Sequence, residues 1–423
     1  MSKSVISKRY PVSKHVDPAI LGQQLHFKAS NRTAKNRFYK AAMSELMSSF
    51  SLDEPKKIGI PSNQLINLYE KFAYGEFGVI ATGNIIIDHL HLEAAGNMVI
   101  SKETESAEKD RQFKRLTTTA KSTNGFIIAQ LNHCGRQTPA VINSTPFSAS
   151  DHQLNVRIKG GFRKPKTLNA KQIKTEVVDR FVYAAVKCYQ YGFDGCEIHA
   201  AHGFLLSQFL SPTTNTRTDK YGGNADNRSR IIEEIYQEIR TKIPASTGFI
   251  VGIKLNSADS PQSGSLEDVT FVAKKLDSLG FDYIELSGGS FEKWTLFHYK
   301  ESTKQREAFF VEFAAAIKPY IKNSIIYLTG GFRSAPAMVS AVKNGDCDGV
   351  GIAKPSAAEP DLPLKILENR VQSSAFNPFE FDYGVANLMA QTQMWQASKT
   401  AWSESNGNPC FGISDFSEEH ENF

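Results

Sequence analysis

Eight short apolar runs recur along the chain, each followed by a stretch with helical spacing, and this alternation limits the fold more than any other feature. The runs cover residues 38–43, 78–87, 125–131, 195–199, 249–255, 283–287, 325–329 and 349–353. They are rich in β-branched and aromatic residues, and most end in Gly, Asn, Asp or Ser, as strands do. Between them, Ile231, Ile232, Ile235 and Ile239 form one apolar helical stripe, and Phe181, Ala184, Ala185 and Cys188 form another. Strands too apolar to face water belong in a parallel sheet covered by helices. Eight strand–helix units favour closure into a single (β/α)8 barrel, the TIM-barrel fold, over an open doubly wound sheet. The open sheet is weakened further because no G-x-G-x-x-G follows the first strand.

Two stretches break the alternation. Residues 137–168 are too long for an ordinary strand-to-helix loop, so an excursion after strand three is expected, folded over the barrel as a hairpin or lid. After Arg370 the chain is expected to run irregularly and then form a helix over 387–397. The expected organisation is an N-terminal extension (1–21), the barrel (22–370) and a C-terminal extension (371–423).

Composition narrows the function. A net charge of +5 over 423 residues, with scattered basic residues, gives no nucleic-acid footprint. No run is long and apolar enough for a membrane span, and the first residues lack the apolar core of a secretory signal. Cys134, Cys188, Cys196, Cys347 and Cys410 form no C-x-x-C pair, so neither a metal site nor a disulfide framework is expected. A cytoplasmic location is the corresponding expectation.

In barrels of this kind the reactive groups come from the C-terminal ends of the strands. Those ends carry Ala42, Met43 and Ser44, Gln130, His199 and His202, Lys254, Gly330 and Gly331, and Ala353 and Lys354. Glycines ahead of helix starts, with Lys354 nearby, suit a phosphate, although tight turns alone would also explain them. Two histidines three apart can hydrogen-bond a substrate oxygen, while a metal site would need a further ligand. Lys254 could form a Schiff base or pair with an anion, and spacing does not separate the two. Gln130 could meet an amide-like ligand edge or simply satisfy backbone.

Taken together, these residues resemble the Old Yellow Enzyme family of NAD(P)H:flavin oxidoreductases. The resemblance lies in Lys35-Asn-Arg-Phe-Tyr-Lys-Ala-Ala-Met-Ser-Glu45, Gln130-Leu-Asn-His-Cys-Gly-Arg-Gln137 and His199-Ala-Ala-His-Gly-Phe-Leu-Leu-Ser-Gln-Phe-Leu-Ser-Pro212. It continues in Asn215-Thr-Arg-Thr-Asp-Lys-Tyr-Gly-Gly223 and Thr329-Gly-Gly-Phe332. It implies FMN at the top of the barrel, with NADH or NADPH as electron donor. Ala42, Met43 and Ser44 would lie along the flavin ring, and Gly83, Gln130 and Lys254 would meet its pyrimidine side. Gly330, Gly331, Ala353 and Lys354 would hold the phosphate, and His199 and His202 the carbonyl of a small acceptor such as an enone or quinone. The resemblance leaves the oligomeric state open, a homo-oligomer included.

The chain departs from the family pattern at three places. Lys254 stands where the family usually has arginine, and Ala353-Lys354 where it usually has Gly-Arg. Phe204 stands where the family usually has the tyrosine that protonates the substrate's α-carbon, and phenylalanine has no proton to give. Two alternatives follow from these residues: a flavin-binding protein with lost or isomerase-like activity, and a flavin-free Schiff-base enzyme using Lys254. The iron–sulfur relatives that share this barrel are disfavoured by the missing cysteine cluster.

Overall fold

The computed structural model describes residues 6–156, 158, 160–258, 264–289, 307, 310–380 and 382–418. At its centre eight parallel strands close into a barrel: β1 (Phe38–Lys40), β2 (Val79–Ala81), β3 (Phe126–Asn132), β4 (Gly195–Ala200), β5 (Ile250–Asn256), β6 (Tyr283–Ser287), β7 (Ile325–Thr329) and β8 (Gly349–Ile352). Successive strands pair in register, and β8 pairs with β1 to close the ring. Helices α1 (Asn63–Tyr74), α2 (Ala107–Ala120), α3 (Asp179–Tyr191), α4 (Ala225–Lys242), α5 (Leu266–Leu279), α6 (Val311–Ile317) and α7 (Ala335–Lys343) follow β1 to β7 in turn. The short α8 (Lys354–Ala358) and α9 (Leu362–Leu367) follow β8, and α10 (Tyr383–Ser398) lies in the C-terminal stretch. None of the described helices is long and apolar enough to cross a membrane.

The outer layer forms for the reasons its sequence suggests. The Ile231, Ile232, Ile235 and Ile239 stripe of α4 is fully buried against the barrel, and the Asn224 side chain caps the helix by accepting from the Asn227 amide. Helices α3 and α5 end on Gly192 and Gly280, whose φ values of 87° and 96° only glycine adopts cheaply. Inside the barrel, Tyr39, Tyr283 and Tyr327 pack ring on ring at its base. An antiparallel pair, Leu25–Phe27 with Arg32–Ala34, plugs that end and lays Phe27 against Tyr283.

Three expectations change. The run 78–87 is not one strand: β2 stops at Ala81, and a separate pair of residues, Ile85–Ile86, rejoins β3 after a break. In the break, Gly83 donates its amide to Glu45 Oε1 at 2.8 Å. The first run also ends early, at Lys40, so that residues 42–44 turn inwards over the barrel mouth. Finally, the excursion after β3 doubles back through an antiparallel bridge, Pro139 with Phe162, but lines no part of the cavity at the barrel mouth and so forms no lid there. Its two short strands, Phe147–Ser148 and Lys166–Thr167, run parallel. Arg217 Nη1 draws it down onto the segment after β4 by donating to the Ala149 and Leu168 carbonyls. The wall above the barrel mouth is built instead from residues within 374–380, 386–394 and 415–417, together with Ile6 and Tyr10.

Candidate active site

A cavity of about 400 Å³ opens at the C-terminal ends of the strands. Every residue singled out from the sequence lines it except one: Ala42, Met43, Ser44, Gln130, His199, His202, Phe204, Lys254, Gly330, Gly331, Ala353 and Lys354. Gly83 is the exception. A Cβ there would strike the Glu45 carboxylate and the Met43 carbonyl, so this residue shapes the turn behind residues 42–44.

Strand alternation explains what points inwards. Register places His199 beside Lys254 and Lys254 beside Glu285 across β4, β5 and β6. Lys254 Nζ lies 3.0 Å from Glu285 Oε1, with both side chains almost wholly removed from water. One layer lower, Tyr39 donates to Glu197 Oε2 at 2.7 Å. Burial first, and the nearby Glu285 charge second, push the Glu197 carboxyl well above the ordinary carboxylate range, so it keeps its proton.

The histidines form a relay at the rim. His199 Nε2 and His202 Nδ1 are 3.0 Å apart, and His202 Nε2 is 3.2 Å from Ser287 Oγ. His202 is held in a left-handed conformation, φ 58°, with its amide bonded to Asn256 Oδ1. A non-glycine residue kept there costs of order 1 kcal/mol, which the surrounding structure must offset. Burial lowers both imidazoles, and Lys254 adds to it: His202 falls to about 3, and His199 lies well below its ordinary value. Both rings are therefore neutral hydrogen-bonding groups at physiological pH.

Phe204 starts the short helix Leu205–Leu210, its ring 4.9 Å from His199 and packed among Ile58, Ile86, Leu92, Val99 and Cys134. At the opposite end of the cavity, Gly330 and Gly331 take φ values of 134° and 79°, and Lys354 begins α8. Arg333 joins them and pairs with Glu380 at 2.8 Å, while Tyr10 donates to the same carboxylate. The cavity thus runs from a polar, histidine-lined mouth to a cationic, glycine-lined end.

Sequence reasoning missed several walls. Asn84 and Glu93 form a network with Ser44, in which Ser44 Oγ donates to Glu93 Oε2 at 2.6 Å and Asn84 Nδ2 does so at 2.9 Å. Arg333 also lines the cavity, and its place directly after the Gly-Gly-Phe run at the end of β7 is the local signal for it. Nothing local marks Glu93 or the C-terminal residues. Outside the cavity, Asp88, His91 and His133 cluster tightly. His91 Nε2 and His133 Nδ1 already accept backbone amides from Phe147 and Gly135. His91 Nδ1 donates to Asp88 Oδ2 at 2.8 Å, whereas His133 Nε2 lies 3.7 Å from that oxygen without a hydrogen-bond partner; with the other nitrogen of each ring taken by backbone, the group is read as structural.

Two buried atoms at the mouth are left to meet a polar ligand. Gln130 Nε2 is taken by Asn84 at 2.8 Å, yet Gln130 Oε1 is buried without a partner. His199 Nδ1 is buried and unpartnered as well. Buried polar atoms left unsatisfied cost about 1–3 kcal/mol each unless a ligand meets them. A flat heteroaromatic ring with donors and acceptors on its edge, joined to a phosphate, fits both ends of the cavity.

Comparison with known proteins agrees. Residues 26–373 match the model of the NADH:flavin oxidoreductase / NADH oxidase family. An NADH-dependent flavin oxidoreductase of Aspergillus parasiticus is 41% identical over 84% of this chain and 80% of its own length. Another, from Hypocrea jecorina, is 33% identical over 80% of this chain and 86% of its own. Among solved structures, morphinone reductase in complex with tetrahydroNAD superposes with a TM-score of 0.66 at 21% identity, over 85% of this chain and 93% of that one. A 2-naphthoyl-CoA reductase complex reaches 0.73 at 21% identity over 83% of this chain, which spans about half (52%) of that longer one. The two structural likenesses bear on the fold, and the family rests on the sequence match: the chain belongs to the NADH:flavin oxidoreductase / NADH oxidase family, FMN-linked oxidoreductases of the Old Yellow Enzyme type.

Proposed function

We propose that the protein passes reducing equivalents from NADH or NADPH to a small oxidised acceptor, an α,β-unsaturated carbonyl or a quinone, in a ping-pong cycle over one cavity. Bound FMN would supply the hydride chemistry, accepting from the nicotinamide and donating to the acceptor. The observation that carries the reading is the neutral His199–His202 pair beside Gln130 and Lys254 at the mouth of a single cavity that also has a cationic end. Gln130 and Lys254 would hold the ring's polar edge, Ala42, Met43 and Ser44 its flank, and Gly330, Gly331, Arg333, Ala353 and Lys354 the phosphate. His199 would donate through its unpartnered Nδ1 to the acceptor's oxygen, held in that tautomer by His202 and Ser287, and draw charge from the carbon that takes hydride. The naming of the fungal relatives as NADH-dependent favours NADH as donor. Lys254 beside Glu285 is arranged as a charge and not as a nucleophile, which argues against the Schiff-base alternative.

Phe204 marks the weak step. For an alkene, hydride goes to the β-carbon and a proton to the α-carbon, and this side chain has no proton to give. Quinones need none on carbon. The account expects quinone turnover to exceed cyclohexenone turnover, and Phe204→Tyr to raise the cyclohexenone rate about tenfold or more with little change for the quinone. Brisk cyclohexenone reduction by the wild type, with no gain from the tyrosine, would sink the idea. Reduction of flavin without any acceptor turnover would favour the flavin-binding alternative.

A further inference from the structure

Inside the barrel, directly under the cavity, two carboxyl groups share one small volume with a single lysine. Glu285 lies 3.0 Å from Lys254, and its side chain has no exposure to solvent. Both Glu285 oxygens lack a well-aligned hydrogen bond, as does Glu197 Oε1, so the contact to Lys254 is electrostatic and not a geometric clamp. Glu197 accepts one hydrogen bond from Tyr39 through its other oxygen. Tyr283, the outward-facing Lys40 and, above the lysine, His199 and His202 are the other titratable groups that interact with this cluster. A buried carboxylate this close to a cation offsets most of the field that the cation projects beyond the pair. Lys254 lines the cavity and Glu285 does not, so the ligand meets a lysine whose charge is partly cancelled from below.

We propose that Glu285 is a positioning residue that sets the reduction potential of the flavin by attenuating the Lys254 charge. Glu197 takes no direct part: it keeps its own proton and so adds no second negative charge. The proposal rests on FMN occupying the cavity, as the family assignment holds. It concerns only how strongly the reduced, more negative ring is favoured over the oxidised one.

The test is a spectroscopic redox titration of the FMN-loaded full chain against dyes of known potential, which needs no physiological donor or acceptor. Glu285→Gln removes the offsetting charge and keeps the shape. Its reduced-to-oxidised ratio at a fixed potential should rise by about tenfold, equivalent to about 30 mV positive for a two-electron couple. Glu197→Gln, an isostere of the protonated carboxyl, should leave the midpoint unchanged. In a Lys254→Met background the Glu285→Gln shift should shrink, because the charge it unmasks is gone. Should Glu285→Gln fail to retain FMN, Glu285→Asp draws the charge back by one carbon and should give a smaller positive shift. An unchanged or negative midpoint in these Glu285 variants, or an equal shift in Glu197→Gln, would overturn the proposal. A wild-type protein that binds no FMN would instead overturn the functional reading beneath it.

Discussion

At the scale of single residues, the site depends on side chains whose protonation is fixed by burial. The folded pKa of His202 is depressed to about 3, and that of His199 is lower than its ordinary value as well. A depressed histidine stays neutral at every pH above its folded value, so the pair keeps one hydrogen-bonding arrangement, with His199 free to donate, throughout pH 5–8. The pH profile of kcat/KM for a non-ionising quinone should therefore show no histidine ionisation near 6.5, and a clear step there would contradict the geometry. The same scale shows what sequence could and could not reveal. His199, His202 and Lys254 were legible because strand ends in a barrel point at one rim. Gly83 stands outside the cavity lining, because a glycine at a strand end carries no sign of which side its missing Cβ would occupy, and here that space belongs to Glu45 and Met43.

Among elements, the turns after β7 and β8 carry the most information per residue. Gly330 has a φ of 134°, and a Cβ there would sit 2.7 Å from the Phe310 ring. Gly330→Ala meets backbone strain and a clash together, so it should lower stability by about 1–3 kcal/mol. It should also loosen FMN, read as a raised Kd in a flavin-fluorescence titration. Equal affinity and an unchanged Tm would show that this turn is not the phosphate seat. The eight strands could be read from short, almost wholly apolar runs because both their faces are buried, and the α4 stripe from its helical spacing because one face packs on the barrel. The excursion after β3 could not, since its course is set by distant partners. Arg217 and Gln208, some fifty to seventy positions along the chain, hold it down. The role of α10 was hidden for a similar reason. A helix could be expected near 387–397, but its packing onto α1 and α8 above the cavity is a long-range contact with no local signature.

Over the whole molecule, burying so many ionisable groups links stability to pH. His89, His133, His199 and His202 all have lowered folded pKa values, His133 at about 4. Below about 6.5 the unfolded chain binds protons that the folded chain refuses, so this stability is complete above 6.5 and lost as pH falls. Glu197 and Glu380 are raised and act in the opposite sense above about 4.5, their stability fading as pH rises. Four groups against two leaves a net loss on acidification, about 1–3 kcal/mol per pH unit between 6.5 and 5. The urea midpoint should accordingly be lower at pH 5 than at pH 7, and an equal or higher midpoint would contradict that balance. The central claim is that this barrel is an FMN-linked, nicotinamide-reduced oxidoreductase, and one experiment reaches it directly. The purified protein is scanned in the visible range without oxygen, given NADH and then NADPH, and finally a quinone. The account predicts a flavin band that one donor bleaches and the quinone restores. A colourless protein that stays so after FMN is supplied, or a flavin band that neither donor bleaches, would contradict it.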